Sequence, residues 1–564
     1  MALVAAVYLT LALRHRAPVV YADESGYLGN ARWLTGGPRW WMDSAAFYGL
    51  GYPLLLVPIF ILVEDPELLY RSVLLLNVAL CALLASLLYL VSRYVALATH
   101  RAALLAATVG VAYPAIAVHV GIAWVEIVAS VGVALLILTA SYALARPSVT
   151  SFAAHAVVIV HLVGVHGRFT LLSPIAALLF AGAILRRRDL RAAGALGLAV
   201  LVAGWWVIGR LHGAAFAARW DPRPDRQPVA INDVLAAWPV DLLRSAAGQL
   251  WYLLAATAGV VVLGLIVLVR SGLRPGGPTA DPDPTSDATS PPTARLPITG
   301  WPAGIYLTSL VGVILAVSIA TIAAGVESTG GALRVDYIFY GRYNDALVPT
   351  LLALGVSALF EPRARRWVPQ VLAGAAVGIG LLGLATVALR RGISYTGLHH
   401  PLTMPALNPF LGIGPRSRVE SPFVAPVTIG AVVVAALLAL LAKVRPAAVT
   451  AVLLLGFAWI AYKDVVPASR TITSNDAASP VYRALRERRP ATVAYDIDQM
   501  AVNTYYGLPF WLDDSAFVAF RASGGAWPEA DLYVGPAAWP AANTRGLQLL
   551  TVDPITKQGY WVPD

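Results

Sequence analysis

Long apolar runs separated by short basic loops constrain this chain more than any other feature. A helix crosses a bilayer in roughly 17 to 25 apolar residues. Runs of that kind fall at 2–21, 73–91, 103–119, 124–145, 152–166, 169–185, 192–209, 246–269, 300–324, 343–360, 368–388, 424–442 and 447–466. They predict about thirteen spans. With 58% hydrophobic and 13% charged residues, the chain carries more apolar surface than a soluble core could bury, so the expected class is an all-α polytopic bundle. The stretch GYPLLLVPIFILVED at 51–65 is also apolar, but it is short, contains Pro53 and Pro58, and ends in acids. It reads as a juxtamembrane or re-entrant helix.

Basic residues set the orientation. With Asp23 outside, every inside loop is basic: Arg93 and Arg101, Arg146, Arg186 to Arg188 with Arg191, Arg270 and Arg274, Arg363 to Arg366, and Lys443 with Arg445. This is the positive-inside pattern. Counting 51–65 as a span would reverse it. The net charge of +10 then needs no nucleic-acid partner. Cys81 is the single cysteine, so an intrachain disulfide is excluded. The first run leads into DESGY without a small-residue cleavage site and is expected to be a span, not a signal peptide.

Two regions are predicted: a transmembrane bundle at 1–467 and an extracytoplasmic α/β domain at 468–564. The bundle has a first outer loop at 22–72 and a disordered cytoplasmic linker at 271–297, rich in Pro, Gly, Ser, Thr and Asp. In the C-terminal region PVYRALRERR suggests a helix, and ATVAYDI, ADLYVGPA and LQLLTVD suggest strands. Trp511, Trp527, Trp539 and Trp561 are either core aromatics or surfaces for sugar rings.

Asp23 and Glu24 follow the first run in VVYADESGYLGNARWL. Acids at a membrane boundary either stay wet or do chemistry. They could cap the helix that follows. A carboxylate flanked by Tyr21 and Tyr27 could instead deprotonate an alcohol, with Tyr27 and Tyr48 as candidates for substrate binding. If the sugar donor is a polyprenyl phosphate, the leaving group is already a stabilised anion. One carboxylate then serves an inverting displacement, unlike the two of glycoside hydrolysis. Outer cations would meet the departing phosphate, and the candidates are Arg71, Arg168, Arg210 (with His212) and Arg342. Arg342 in GRYNDALVP, with Tyr343, is the strongest candidate, because a guanidinium fork matches phosphate oxygens. Glu126 lies at the outer start of a span and is a candidate for substrate binding or for pairing with an arginine. His399 and His400 are adjacent in an outer loop, a spacing that suits acceptor binding or loop packing better than a shared metal. His155, His161 and His166 do not share one helix face. No Walker loop, HExxH, CxxC pair or nucleophile elbow is present, which disfavours ATP-driven transport and zinc proteolysis.

The motifs YADESGY, GLGYPLLLVPIF, YRSVLLLNV, the Tyr-Pro after the third run, and the late outer GRY together resemble the GT-C glycosyltransferases. These integral-membrane enzymes use polyprenyl-phosphate sugars. They include protein O-mannosyltransferases, the lipid A aminoarabinose transferase and arabinofuranosyltransferases. The resemblance implies a helical bundle with a cavity open to the outer leaflet. It also implies Asp23 as catalytic base, Glu24 orienting sugar or acceptor, and Arg71 and Arg342 near the lipid phosphate. No protein cofactor is required by it, and a divalent metal is left open. The expected partners are a polyprenyl-phosphate lipid and a glycan, lipid or protein acceptor, with the protein acting as a monomer in the plasma membrane and its active site facing outward. The Ala-, Val- and Arg-rich composition fits a high-GC, actinobacterial envelope protein, and the resemblance implies a mannose or arabinofuranose donor. A flippase for a lipid-linked sugar is the alternative, although no internal repeat of the transporter kind is visible.

Overall fold

The apolar runs fold as helices, and local sequence marks where several of them begin. The computed structural model describes residues 2–18, 22–37, 48–219, 239–273, 298, 300–328, 338–389, 404–410, 424–476, 479–499, 502–524, 526–554 and 556–564. Most of the expected linker, and both His399 and His400, lie outside these residues.

The first half holds α1 (Ala2–Arg14), α2 (Ala22–Leu34), α3 (Gly51–Leu62), α4 (Pro66–Tyr94), α5 (His100–Val111), α6 (Pro114–Val120), α7 (Glu126–Ala145), α8 (Val149–Val165), α9 (Leu172–Arg186) and α10 (Arg191–Arg219). The second half holds α11 (Pro239–Ala256), α12 (Val260–Leu273), α13 (Trp301–Ser328), α14 (Arg342–Asp345), α15 (Val348–Phe360), α16 (Val368–Leu389), α17 (Val424–Val444) and α18 (Pro446–Asp476). Asp65 caps α4 by accepting from the Leu68 N–H, with Pro66 at the first helical position, where its missing N–H costs nothing. Ser148 and Ser151 form a reciprocal capping box at α8.

Among the described residues, eight helices are long and apolar enough to cross a membrane, or up to ten if each of two bent pairs is one span. The chain is therefore a multi-pass membrane protein. The difference from about thirteen spans has local causes. The run at 103–119 breaks by 61° between α5 and α6, where Pro114 cannot donate into the helix. The run at 246–269 turns by 98° between α11 and α12, at Ala258 (φ 45°) and Gly259 (φ 79°), both in the left-handed region that ends helices. Among the described residues, the run at 2–21 is helical over Ala2–Arg14. The 51–65 segment is a short helix that keeps Pro58 inside it. Gly264 lets α12 lie against the backbone of α15, since a Cβ there would overlap the Leu351 carbonyl. Such small-residue contacts are how membrane helices approach closely.

After α18 come α19 (Ser479–Glu487), β1 (Thr492–Asp496), α20 (Val502–Trp511), β2 (Ala516–Phe520), β3 (Leu532–Pro536), α21 (Pro540–Asn543), β4 (Leu547–Val552) and β5 (Gln558–Pro563). The strands form one mixed sheet in the order β2-β1-β3-β5-β4. β1 runs parallel to β2 and β3, and β5 antiparallel to β3 and β4. Sequence reading found three of these strands and missed AFVAF and QGYWVP. Trp511, Trp539 and Trp561 are buried, and Trp527 stacks on Trp539 with centroids 4.7 Å apart. These rings are the core of the sheet region, not an open sugar platform. The sheet region is fastened to the bundle near α2: Arg32 Nη1 donates to the Pro509 carbonyl at 3.0 Å, and Arg486 Nη2 donates to the Glu64 carbonyl at 2.9 Å.

Candidate active site

Polar side chains from five separate stretches meet around the start of α2. Asp23 and Glu24 occupy its first turn, where a helix favours carboxylates. Their side chains nevertheless reach residues far away in sequence. Asp23 Oδ1 accepts from the Tyr48 hydroxyl at 2.9 Å, and Asp23 Oδ2 lies 2.6 Å from Arg342 Nη2. Glu24 is fully buried; its Oε1 accepts from the Tyr70 hydroxyl at 2.6 Å and from the Ala123 N–H at 3.1 Å. The adjacent acids thus have different environments, one at an edge and one inside.

α2 itself shapes the pocket for Tyr48. A Cβ on Gly26 would overlap the Tyr48 ring, and Asn30 Nδ2 donates to the Tyr48 carbonyl at 2.8 Å. Tyr27 packs edge-on against Tyr48 and Tyr52, with centroids 5.1 and 6.0 Å apart. The DESGYLGN spacing therefore presents a carboxylate at position 23 and a seat for its tyrosine partner along the same helix.

Arg342 stands at the centre. Its Nε donates to Glu126 Oε1 at 2.5 Å, its Nη2 pairs with Asp23, and its Cζ lies 3.8 Å from the Trp124 ring centroid. Glu126 opens α7 and is fully buried; its Oε2 has no hydrogen-bond partner among the described residues. Arg342 thus pairs with two carboxylates, the kind of partnering that buried charges require.

Arg168 is different. It sits in the 3₁₀ turn Gly167–Phe169 after α8, buried, with none of its three guanidinium nitrogens hydrogen-bonded among the described residues. Its guanidinium carbon lies 5.1 Å from the Tyr343 ring and 5.0 Å from that of Phe169. The Arg168 N–H donates to His166 Nδ1 at 3.1 Å, and the His166 ring meets Tyr343 at 5.2 Å. His119 on α6 is likewise fully buried, with both ring nitrogens lacking a hydrogen-bond partner among the described residues. Unpartnered buried donors of this kind are rare and call for a ligand or solvent.

Behind Arg342, on the same short helix, Asp345 is fully buried. It accepts from the Tyr113 hydroxyl at 2.7 Å and from the Tyr252 hydroxyl at 3.1 Å. Asn344 Nδ2 donates to Gln249 Oε1 at 2.6 Å. Gly341 faces Tyr252 so closely that a Cβ would overlap its ring. Two broken helices supply this support: Tyr113 lies in the α5–α6 break, and Tyr252 lies in α11 just before its bend.

Of the sequence-derived candidates, Asp23, Glu24, Tyr27, Tyr48, Glu126, Arg168, Arg342 and Tyr343 converge. Arg71 follows Tyr70 on α4, half-buried, its Nε without a hydrogen-bond partner among the described residues. No hydrogen bond, ion pair or ring contact joins it to this cluster. Arg210 is exposed on α10 and also stands apart, while its neighbour His212 accepts from the Leu50 N–H at 3.3 Å. His155 bonds Tyr306 at 2.5 Å, away from His166. Sequence reading missed His119, Tyr70, Tyr252 and Asp345. Asp345 had a signal, being an acid three residues after Arg342 and so on the same helical face. Among the described residues no three His, Cys, Asp or Glu side chains are grouped to hold a metal ion.

No protein-family model matches this chain, and no curated protein is similar to it in sequence. Solved structures are similar in fold. ArnT from Cupriavidus metallidurans bound to undecaprenyl phosphate superposes with a TM-score of 0.52 at 11% identity, covering 99% of this chain and 96% of ArnT. The same protein in the apo state gives 0.51 with the same identity and coverage. At that identity the likeness is one of fold, and it extends over nearly the whole chain. The helical bundle and its C-terminal sheet region thus share the fold of ArnT.

Proposed function

We propose that this protein is an inverting glycosyltransferase that moves a sugar from a polyprenyl phosphate to a cell-envelope glycan, lipid or protein on the outer face of the plasma membrane. The observation that carries this reading is the pairing of two unlike cations. Arg342 is committed to Asp23 and Glu126, whereas Arg168 is buried and uncommitted a ring away. A buried guanidinium whose N–H donors are unmet is costly unless a substrate supplies acceptor oxygens. A phosphate supplies them, and ArnT is a protein of the same fold bound to a polyprenyl phosphate.

Asp23 is the base in this reading. Its side chain is 29% exposed, against 0% for Glu126, so it is open to an incoming hydroxyl. Tyr48 and Arg342 fix the carboxylate, which leaves room for one more donor. The acceptor oxygen bonds to the anomeric carbon as its proton passes to Asp23. The bond from that carbon to the phosphate oxygen breaks, its electron pair leaves with the polyprenyl phosphate, and the configuration inverts. Arg168 meets the charge on the departing phosphate, a preorganised electrostatic contribution of the kind that dominates many enzymes. Glu24, held by Tyr70 and Ala123, shapes the wall behind Asp23.

Mannose and arabinofuranose donors are the first to test. Purified protein is incubated with radiolabelled polyprenyl-phosphate sugars and a crude envelope acceptor. Label in the acceptor with wild type but not with Asp23→Asn supports the reading. Donor binding without transfer by either protein points instead to a flippase.

A further inference from the structure

A second cavity, of about 660 Å³, opens where the C-terminal end of α2 meets the loop before α4 and the segment joining α20 to β2. That volume suits a small ligand. Arg32, Glu64, Phe510, Arg486, Asp513 and Asp514 stand on its wall.

Arg32 is the telling group. It is 6% exposed, and although Nη1 is used by Pro509, Nη2 is buried without a hydrogen-bond partner among the described residues. A donor left open on a cavity wall marks where a ligand oxygen belongs. Burial pushes the Arg32 guanidinium down to about 10, and Asp513 and Asp514 act against that shift, so both carboxylates lie within its electrostatic reach. Arg486 lies 3.4 Å from Asp513.

The composition of the wall selects the ligand. Three carboxylates outnumber two guanidiniums, so a phosphate meets net repulsion. An apolar molecule would leave the charges unsatisfied. A neutral polyhydroxylated ring gives O–H donors to the carboxylates, oxygen acceptors to the guanidiniums, and C–H faces to Phe510.

We propose that this cavity binds a neutral sugar residue of the acceptor, with Asp513, Asp514 and Glu64 accepting from its hydroxyls and Arg32 donating to its oxygens. Naming that ligand an acceptor rests on the transferase reading; the glycan site itself does not. Its position suits the role. Arg32 follows Asp23 by nine residues on α2, about 13 Å along a helix. Glu24, Leu28 and Arg32 share one stripe of that helix, and Tyr70, which donates to Glu24, packs against Phe510 with centroids 6.0 Å apart. A glycan held here extends along α2 toward the base.

The test titrates the full-length protein in nanodiscs, without donor, with short neutral mannan and arabinan oligosaccharides, and with inorganic phosphate as competitor. The expected result is that one oligosaccharide binds, phosphate does not displace it, and Asp513→Asn/Asp514→Asn weakens it about tenfold or more, as loss of charge-assisted hydrogen bonds implies. Asp514 is exposed, so Asp514→Asn alone serves if the double variant fails to fold. Unchanged glycan binding in the variants, no glycan binding by wild type, or displacement by phosphate overturns the proposal. Polyprenyl phosphate binding is measured on the same samples. If wild type binds glycan but not the lipid phosphate, the transferase reading fails while the glycan site stands.

Discussion

Arg342 lies 2.6 Å from Asp23, so the arginine that the sequence marks out for phosphate is the partner of the carboxylate marked out as base. The same guanidinium bonds Glu126. In the proposed transferase, lipid phosphate falls to Arg168, whose guanidinium is buried and lacks a hydrogen-bond partner among the described residues. In that proposal the two arginines have separate tasks, one holding the base and the other meeting the phosphate.

Arg168→Gln separates stability from function. Removing Arg168 breaks no hydrogen bond among the described residues and costs Glu126 only a through-space attraction, so the melting temperature should change little. Affinity for polyprenyl phosphate should fall at least about tenfold, the usual minimum for a charge-assisted contact. Thermal denaturation alongside lipid-phosphate binding reads both, and a destabilised variant with normal affinity would assign Arg168 to the core.

Arg342→Gln should behave in the opposite way. Glu126 would be left as a buried charge without its cation, a loss of about 3–5 kcal/mol, and Asp23 would lose its anchor. The expected outcome is a large drop in melting temperature with turnover abolished. Glu126→Gln combined with Arg342→Gln removes both charges and should recover much of the stability but no activity.

Tyr48→Phe deletes one hydroxyl that donates to Asp23 and keeps the ring on Gly26. Turnover should fall by about tenfold, in keeping with a hydrogen bond to a charged group, with donor binding intact. Gly26→Ala should be worse, because the added Cβ displaces the Tyr48 ring altogether. Equal activity in Gly26→Ala and wild type would remove Tyr48 from the site.

Asp345 is expected to act through Arg342, three residues before it. Asp345→Ala removes the acceptor shared by the Tyr113 and Tyr252 hydroxyls, which are then left facing each other at 3.4 Å, at a cost of about 1–3 kcal/mol. If the carboxylate sets the position of α14, kcat should fall more than KM changes, and Asp345→Asn should recover part of the loss. A variant with lower stability and wild-type kcat would leave Asp345 a purely structural group.

Much of this protein is legible in its sequence, because a membrane leaves a chain few choices. Apolar runs of spanning length must become helices. The acids and tyrosines of YADESGY and the arginine of GRY announce a polar site because such residues are expensive there. Proline and glycine punctuate the breaks, although no periodicity tells how sharply Pro114 or Gly259 turns the chain. In the sheet region, AFVAF and QGYWVP are too short to be recognised before their neighbours are known.

Who pairs with whom was decided by tertiary structure alone. Asp23 and Glu24 are adjacent on α2, yet one lies at an edge with Tyr48 and Arg342 and the other is sealed against Tyr70 and Ala123. Arg168 and Arg342 look alike in the sequence, but packing put one in direct contact with two carboxylates and the other against aromatic faces. Sequence determined which ionisable groups would stand at the mouth of the bundle, since their cost in a membrane restricts where they occur. Their charges are neutralised or left open according to contacts between residues hundreds of positions apart, and those contacts exist only once the helices have packed.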